Sequence, residues 1–245
     1  MLVRVDASAQ DVNHDGVVTY LVPISAPNIL PGANGTLWKT ELWIHNGVGA
    51  PVALICSDVI SEIPPCPAYH APGITEKAFD FETTSRLGAV LFNLPPDFVN
   101  KIDLSSRLFE LSRHTQPAGV YLPVVREDRF YTAPARFVGI PASTASRVAL
   151  RIYDPRRRPG SQVRVELIDA NDSPIADTVL TLLDSSTKSE PGVGSILDLA
   201  ASFPQLRNVD RFDIRVTPLI PGMEYWGLVS VTDWDTQQVV LITAD

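Results

Sequence analysis

Thr40-Glu41-Leu42-Trp43-Ile44-His45-Asn46 reads like Val148-Ala149-Leu150-Arg151-Ile152-Tyr153-Asp154, and this likeness decides the fold. In each stretch apolar and polar side chains alternate with a period of two, the pattern of a strand with one buried face. Thr40, Leu42 and Ile44 point one way, and Lys39, Glu41, Trp43 and His45 the other. Val148, Leu150 and Ile152 face inward in the second copy, with Arg147, Arg151 and Tyr153 outward. An apolar run precedes each copy: Tyr20-Leu21-Val22-Pro23-Ile24-Ser25, then Phe137-Val138-Gly139-Ile140-Pro141-Ala142. A late strand follows each, with Phe109-Glu110-Leu111 matched to Phe212-Asp213-Ile214. A repeat of this period predicts two tandem copies of one β domain.

Outward from these stretches the chain breaks into short runs of Val, Ile, Leu and aromatic residues separated by Pro, Gly, Asn and Asp. In the first half they cover 17–24, 37–45, 52–56, 78–81, 89–94, 108–112, 119–125 and 130–133. In the second they cover 136–140, 147–153, 162–168, 178–183, 195–199, 211–217, 225–232 and 238–243. Spacing near ten residues suits antiparallel sandwiches. Helical turns are expected only at 95–99 and 199–203. The 21 prolines against 14 glycines support a chain rich in turns and strand ends. The expected architecture is all-β, with two tandem immunoglobulin-like antiparallel sandwiches. Residues 1–16 form an N-terminal arm, 17–135 the first sandwich and 136–245 the second. The short linker predicts that the two touch.

The 245 residues, 45% apolar and 20% charged, suffice for two cores. A net charge of -8 argues against nucleic acid or an anionic membrane as main partner. No apolar stretch approaches the ~20 residues of a membrane span, and the first ten residues lack an apolar signal core. The two cysteines, Cys56 and Cys66, flank Ile63-Pro64-Pro65. A local disulfide is the leading reading, worth roughly 2.5–3 kcal/mol by chain entropy, against two reduced, partly buried thiols. It would place the chain in an oxidising compartment.

Pro31-Gly32-Ala33-Asn34-Gly35-Thr36-Leu37-Trp38-Lys39-Thr40 and the late segment Tyr225-Trp226-Gly227-Leu228-Val229-Ser230-Val231-Thr232-Asp233 resemble a group of uncharacterised secreted bacterial proteins. Those carry tandem immunoglobulin-like β-sandwich repeats. The resemblance implies this fold and export, and transfers no catalytic residue. Secreted or cell-surface localisation is the expectation.

Asp11-Val12-Asn13-His14-Asp15-Gly16 matches the opening of a calcium loop, with oxygens at positions one, three and five and a glycine for the turn. It is similar to dockerin-type loops. Asp11, Asn13, Asp15 and the carbonyl of Val17 are the candidate ligands of a structural calcium. Position twelve is Val22, where a bidentate acid belongs. The other reading is an Asp/Asn/Gly turn leading into the first strand.

Trp43 and His45 on the outward face, and Trp234 in the turn Asp233-Trp234-Asp235, are candidate ligand or interface residues; loop cover over Trp43 is the bland alternative. Trp226 invites the same two readings. Arg156-Arg157-Arg158, between Pro155 and Pro159-Gly160, reads as a solvated hairpin turn rather than an anion site. Nucleophile-elbow, zinc-protease and phosphate-loop motifs are absent from the sequence. The functional expectation is a non-enzymatic structural or adhesive surface protein, self-assembling through its N-terminal arm or sheet edges. Its partner would be itself, another surface protein or a glycan. A carbohydrate- or protein-binding accessory module is the alternative, and a hydrolase with an unrecognised site ranks below it.

Overall fold

The computed structural model describes residues 16–25, 30–31, 35–56, 68–77, 88–112, 118–183 and 191–244. The first half contains β1 (Val18–Ser25), β2 (Leu30–Pro31), β3 (Leu37–Asn46), β4 (Val52–Cys56), β5 (Ala68–His70), β6 (Thr75–Lys77), β7 (Gly88–Leu94), β8 (Ile102–Glu110), β9 (Ala118–Leu122) and β10 (Val125–Arg126). The second contains β11 (Ala135–Pro141), β12 (Ser146–Asp154), β13 (Gln162–Ile168), β14 (Pro174–Thr181), β15 (Gly192–Ile196), the one-turn helix α1 (Leu199–Ser202), β16 (Arg211–Pro218), β17 (Trp226–Asp233) and β18 (Val239–Ile242). The fold is all-β, and every strand pairing among the described residues is antiparallel.

Four sheets form. In the first half β1-β7-β4-β5, with β10 added beside β1, lies in one sheet, and β6-β3-β8-β9 in the other, β2 sharing the β3 edge with β6. In the second half the orders are β11-β16-β13-β14 and β15-β12-β17-β18. Replacing β1, β3, β4, β5, β6, β7, β8 and β9 by β11 to β18 in order converts one connectivity into the other. The repeat seen in two strands therefore extends through the whole topology. Even the bulge recurs: β1 shifts register between Val22 and Ser25, and β11 between Phe137 and Ile140. Gly139 takes a left-handed φ of 70° inside the second bulge.

The topology corrects one sequence match. Phe109 lies on β8, beside β3, whereas Phe212 lies on β16, beside β11 and β13. The equivalent of β16 is β7, so these phenylalanines occupy different sheets. Counting only the eight equivalent strands of each half, the second and fifth pair in one sheet and the third and sixth in the other, as in immunoglobulin sandwiches. Here, however, the first strand sits beside the sixth and the seventh beside the second, so these two have exchanged sheets relative to the immunoglobulin order.

Each half has its own core between its sheets. Tyr20, Val22, Val90, Phe92 and Leu94 meet Leu42, Ile44 and Ile102 in the first. Phe137, Val163, Val165, Leu167, Phe212, Ile214 and Val216 meet Val148, Leu150, Ile152 and Val229 in the second. A third cluster joins the halves. Leu21, Ala89, Leu91 and Val125, on the outer face of the β1–β7 sheet, pack with Tyr153, Trp226 and Leu228 on the outer face of the β12–β17 sheet. The cluster extends to Leu108 and Leu122. This explains why β7 reads as a nearly unbroken apolar run: it is covered on both faces. Tyr153 faces outward from its own sandwich, as its place in the alternation predicts, and is buried there against the other half.

Candidate functional surface

The junction is stitched as well as packed. Tyr153 donates its hydroxyl proton to the Pro23 carbonyl across the halves. The backbones of Tyr131 and Tyr225 exchange both hydrogen bonds, at 2.7 and 2.9 Å. Arg156 reaches from the second half to Glu127, Nη2 to Oε2 3.7 Å, and holds Glu224 at 2.7 Å. Glu127 is nearly buried, and its Oε1 has no hydrogen-bond partner. Burial pushes its carboxyl above the usual carboxylate range, opposed by hydrogen bonds from Thr19 and by the Arg156 charge. Beside it, the Arg126 guanidinium holds Asp128 below that range. An open crevice of about 380 Å³ runs along the junction between Pro123, Val125, Arg129, Tyr131, Trp226 and Thr243.

The arginine run is therefore more than a solvated tip. Asp154, buried at the end of β12, accepts from the backbone N–H groups of Arg156, Arg157 and Arg158 at 2.8, 3.0 and 2.8 Å, and from Ser161 Oγ at 2.5 Å. This fixes the turn that delivers Arg156 to the junction. Asn46, the matching residue of the first repeat, does similar work. It is buried, accepts from Val48 N–H, and donates to the carbonyls of Ala50 and His70. A buried amide or carboxylate at the strand end organises the following turn in both copies.

Among the described residues, an open aromatic surface lies on the outer face of the β6-β3-β8-β9 sheet. Trp43 is half-buried there, its indole N–H donating to Glu41 at 3.2 Å. His45 Nδ1 lies 2.9 Å from Thr75 Oγ1. Register places Ser105 beside Trp43, Asp103 beside His45, and Tyr121 beside Arg107. Tyr121 is 63% exposed, and the Arg107 guanidinium sits 4.1 Å from its ring centroid. Glu41 pairs with Lys39 and Lys77 at 3.7 and 3.6 Å. The face thus offers aromatic rings among charged and hydroxyl groups. Sequence reading missed Tyr121 and Arg107. Arg107 lies just ahead of the expected strand at 108–112; the observed strand begins at Ile102, its Asp103 and Ser105–Ser106 having masked the pattern.

Trp234 does not join this face. It is half-buried in the turn after β17, its backbone N–H donating to the Ala145 carbonyl, with Arg147 5.8 Å from its ring. Trp226 is buried in the junction, stacked on Tyr153 at 6.1 Å, which settles it as a packing residue. Asp11, Asn13, Asp15 and Cys66 lie outside the described residues, as does the side chain of Cys56. Val17 is half-buried ahead of β1, and Gly16 takes a left-handed φ of 69° there. Among the described residues no cluster of three His, Cys, Asp or Glu side chains is placed to hold a metal, and no helix is long and apolar enough to cross a membrane. No protein-family model, curated protein or solved structure matches this chain.

Proposed function

We propose that this chain is a non-enzymatic structural and adhesive protein of an extracellular surface, presenting the outer face of the β3–β8 sheet on a stiff two-sandwich body. The observation that carries the reading is the shared apolar junction. A continuous core between the halves suppresses the hinge expected of tandem domains and suits load-bearing or display. In the same reading, Asp11, Asn13, Asp15 and the Val17 carbonyl bind calcium and pin the N-terminal arm, Cys56 and Cys66 form a disulfide, and the chain associates with itself. Calorimetric titration with calcium and thiol counting in denaturant test the first two.

A glycan ligand is the second reading, favoured by Tyr121 standing exposed on the face that carries Trp43. Aromatic rings flanked by charged and hydroxyl groups suit sugar faces and hydroxyls. Binding to a glycan array by the wild-type chain, lost in Trp43→Ala and Tyr121→Ala, is the expected result of that reading. Retention of cell-surface binding by both variants would remove this face from the adhesive role.

A further inference from the structure

We infer that the edge of β14 that no described strand pairs with joins β14 of a second copy about a two-fold axis. This rests on the self-assembly in the reading above and names its surface. Edge strands expose unpaired backbone groups, and stable monomers blunt them by shortness, bulges, proline or lysine. Most described edges here are blunted. β5 has three residues, β10 two, β18 four, and β9 and β15 five each. β11 is bulged, with Gly139 in a left-handed conformation and Pro141 at its end. β14 has eight residues, Pro174-Ile175-Ala176-Asp177-Thr178-Val179-Leu180-Thr181, with its proline and register shift confined to the start. It carries no lysine or arginine.

The hydrogen-bond parity of the sheet shows which groups are free. Leu219 N–H donates to the Gln162 carbonyl, so even-numbered residues of β13 bond towards β16 and odd-numbered ones towards β14. Leu182 N–H donates to the Ser161 carbonyl, in keeping with that parity. Ala176, Thr178 and Leu180 are thus tied to β13, while Asp177, Val179 and Thr181 point their N–H and C=O groups away from the sheet. The same three residues are exposed, and Val179 is 48% exposed on an outer face that also carries Arg136, Arg164, Glu166, Asp213, Arg215 and Thr217, with Val138 47% exposed on β11.

Parity sets odd-numbered residues of one copy against odd-numbered residues of the other. Centring on Thr178 would oppose the Asp177 carboxylate to Val179, and centring on Leu180 would need Leu183, whose backbone already pairs with Val193. Centring on Asp177 would set two carboxylates opposite each other. Centring on Val179 sets Val179 against Val179 and Asp177 against Thr181, a hydroxyl beside a carboxylate. An isologous contact of this kind closes at a dimer. It would join the two β11-β16-β13-β14 sheets into one.

Light scattering across a concentration series tests it. The wild-type chain should approach twice its 26.7 kDa, and Val179→Lys, altered at an exposed side chain, should keep its circular dichroism and stay at the mass of one chain. Val179→Cys should form a covalent dimer under oxidation, because paired residues at the axis lie about 5.5 Å apart, within disulfide range. Thr181→Cys should not, since its copies would lie ~14 Å apart along the strands. Assembly that persists in Val179→Lys, or no covalent dimer from Val179→Cys, overturns the β14 contact and leaves self-assembly standing. A wild-type chain that stays monomeric throughout overturns both.

Discussion

Replacing Trp226 by alanine tests whether the two halves unfold as one body. The indole is 3% exposed, stacks on Tyr153, and packs with Leu21, Leu91 and Leu228 in the cluster that joins the halves. Deleting a buried tryptophan side chain costs roughly 3–5 kcal/mol, combining lost transfer energy with the cavity left behind. For a chain of this size each kcal/mol lowers the unfolding temperature by about 2–4 °C, giving a fall of roughly 6–20 °C. Calorimetry is the assay. The wild-type chain should show a single transition with matching calorimetric and van't Hoff enthalpies, because neither half can leave without exposing the shared core. Trp226→Ala should either shift that transition by the stated amount or divide it in two. A fall equivalent to less than about 1 kcal/mol, with one unchanged transition, would show that the halves do not depend on this packing.

Gly227→Ala should cost about 1–3 kcal/mol in urea unfolding, because the new Cβ would lie 2.7 Å from Phe137 Cζ and 2.9 Å from Ile152 Cδ1. Asp154→Ala should cost at least about 1–3 kcal/mol, leaving the backbone N–H groups of Arg156 and Arg158 and the Ser161 hydroxyl without their carboxylate acceptor, while Asp154→Asn should cost less, as Asn46 fills the matching place. Glu127→Gln probes pH. The folded pKa of Glu127 is raised, so the folded state holds that proton more tightly. Its carboxylate costs stability above the folded pKa, and the cost is relieved as pH falls towards the unfolded value of about 4.3. Asp128 acts oppositely, losing its contribution only as pH falls below its unfolded value of about 3.9. Urea midpoints should therefore rise from about pH 8 to about pH 4.5 more in wild type than in Glu127→Gln. The variant should also be the more stable at neutral pH, since Arg156 keeps Glu224. Equal slopes would refute the assignment.

The sequence by itself marked the longer strands and determined their buried faces, while β5 and β6 went unread and 130–133, read as a strand, holds only the Tyr131 bridge. Alternation in Thr40–Asn46, Val163–Leu167 and Phe212–Val216 reports burial directly, because a strand offers each face every second residue. It determined the repeat as well, since β3 and β12 share their pattern down to the buried Asn46 and Asp154. Polar strands escaped it: Asp103 and Ser105–Ser106 within β8, and the Pro174 end of β14, resemble turns in composition. Which sheet each strand joins was decided only in three dimensions, and Phe109 and Phe212 fell in different sheets for that reason. The junction was equally illegible. Tyr153, Trp226 and Leu228 are apolar or aromatic residues on the outer face of one sandwich, and nothing in their spacing says that Leu21, Ala89, Leu91 and Val125 will cover them. Local periodicity encodes which face is buried. The partner that buries it is a long-range contact, fixed when the sheets close and the halves dock.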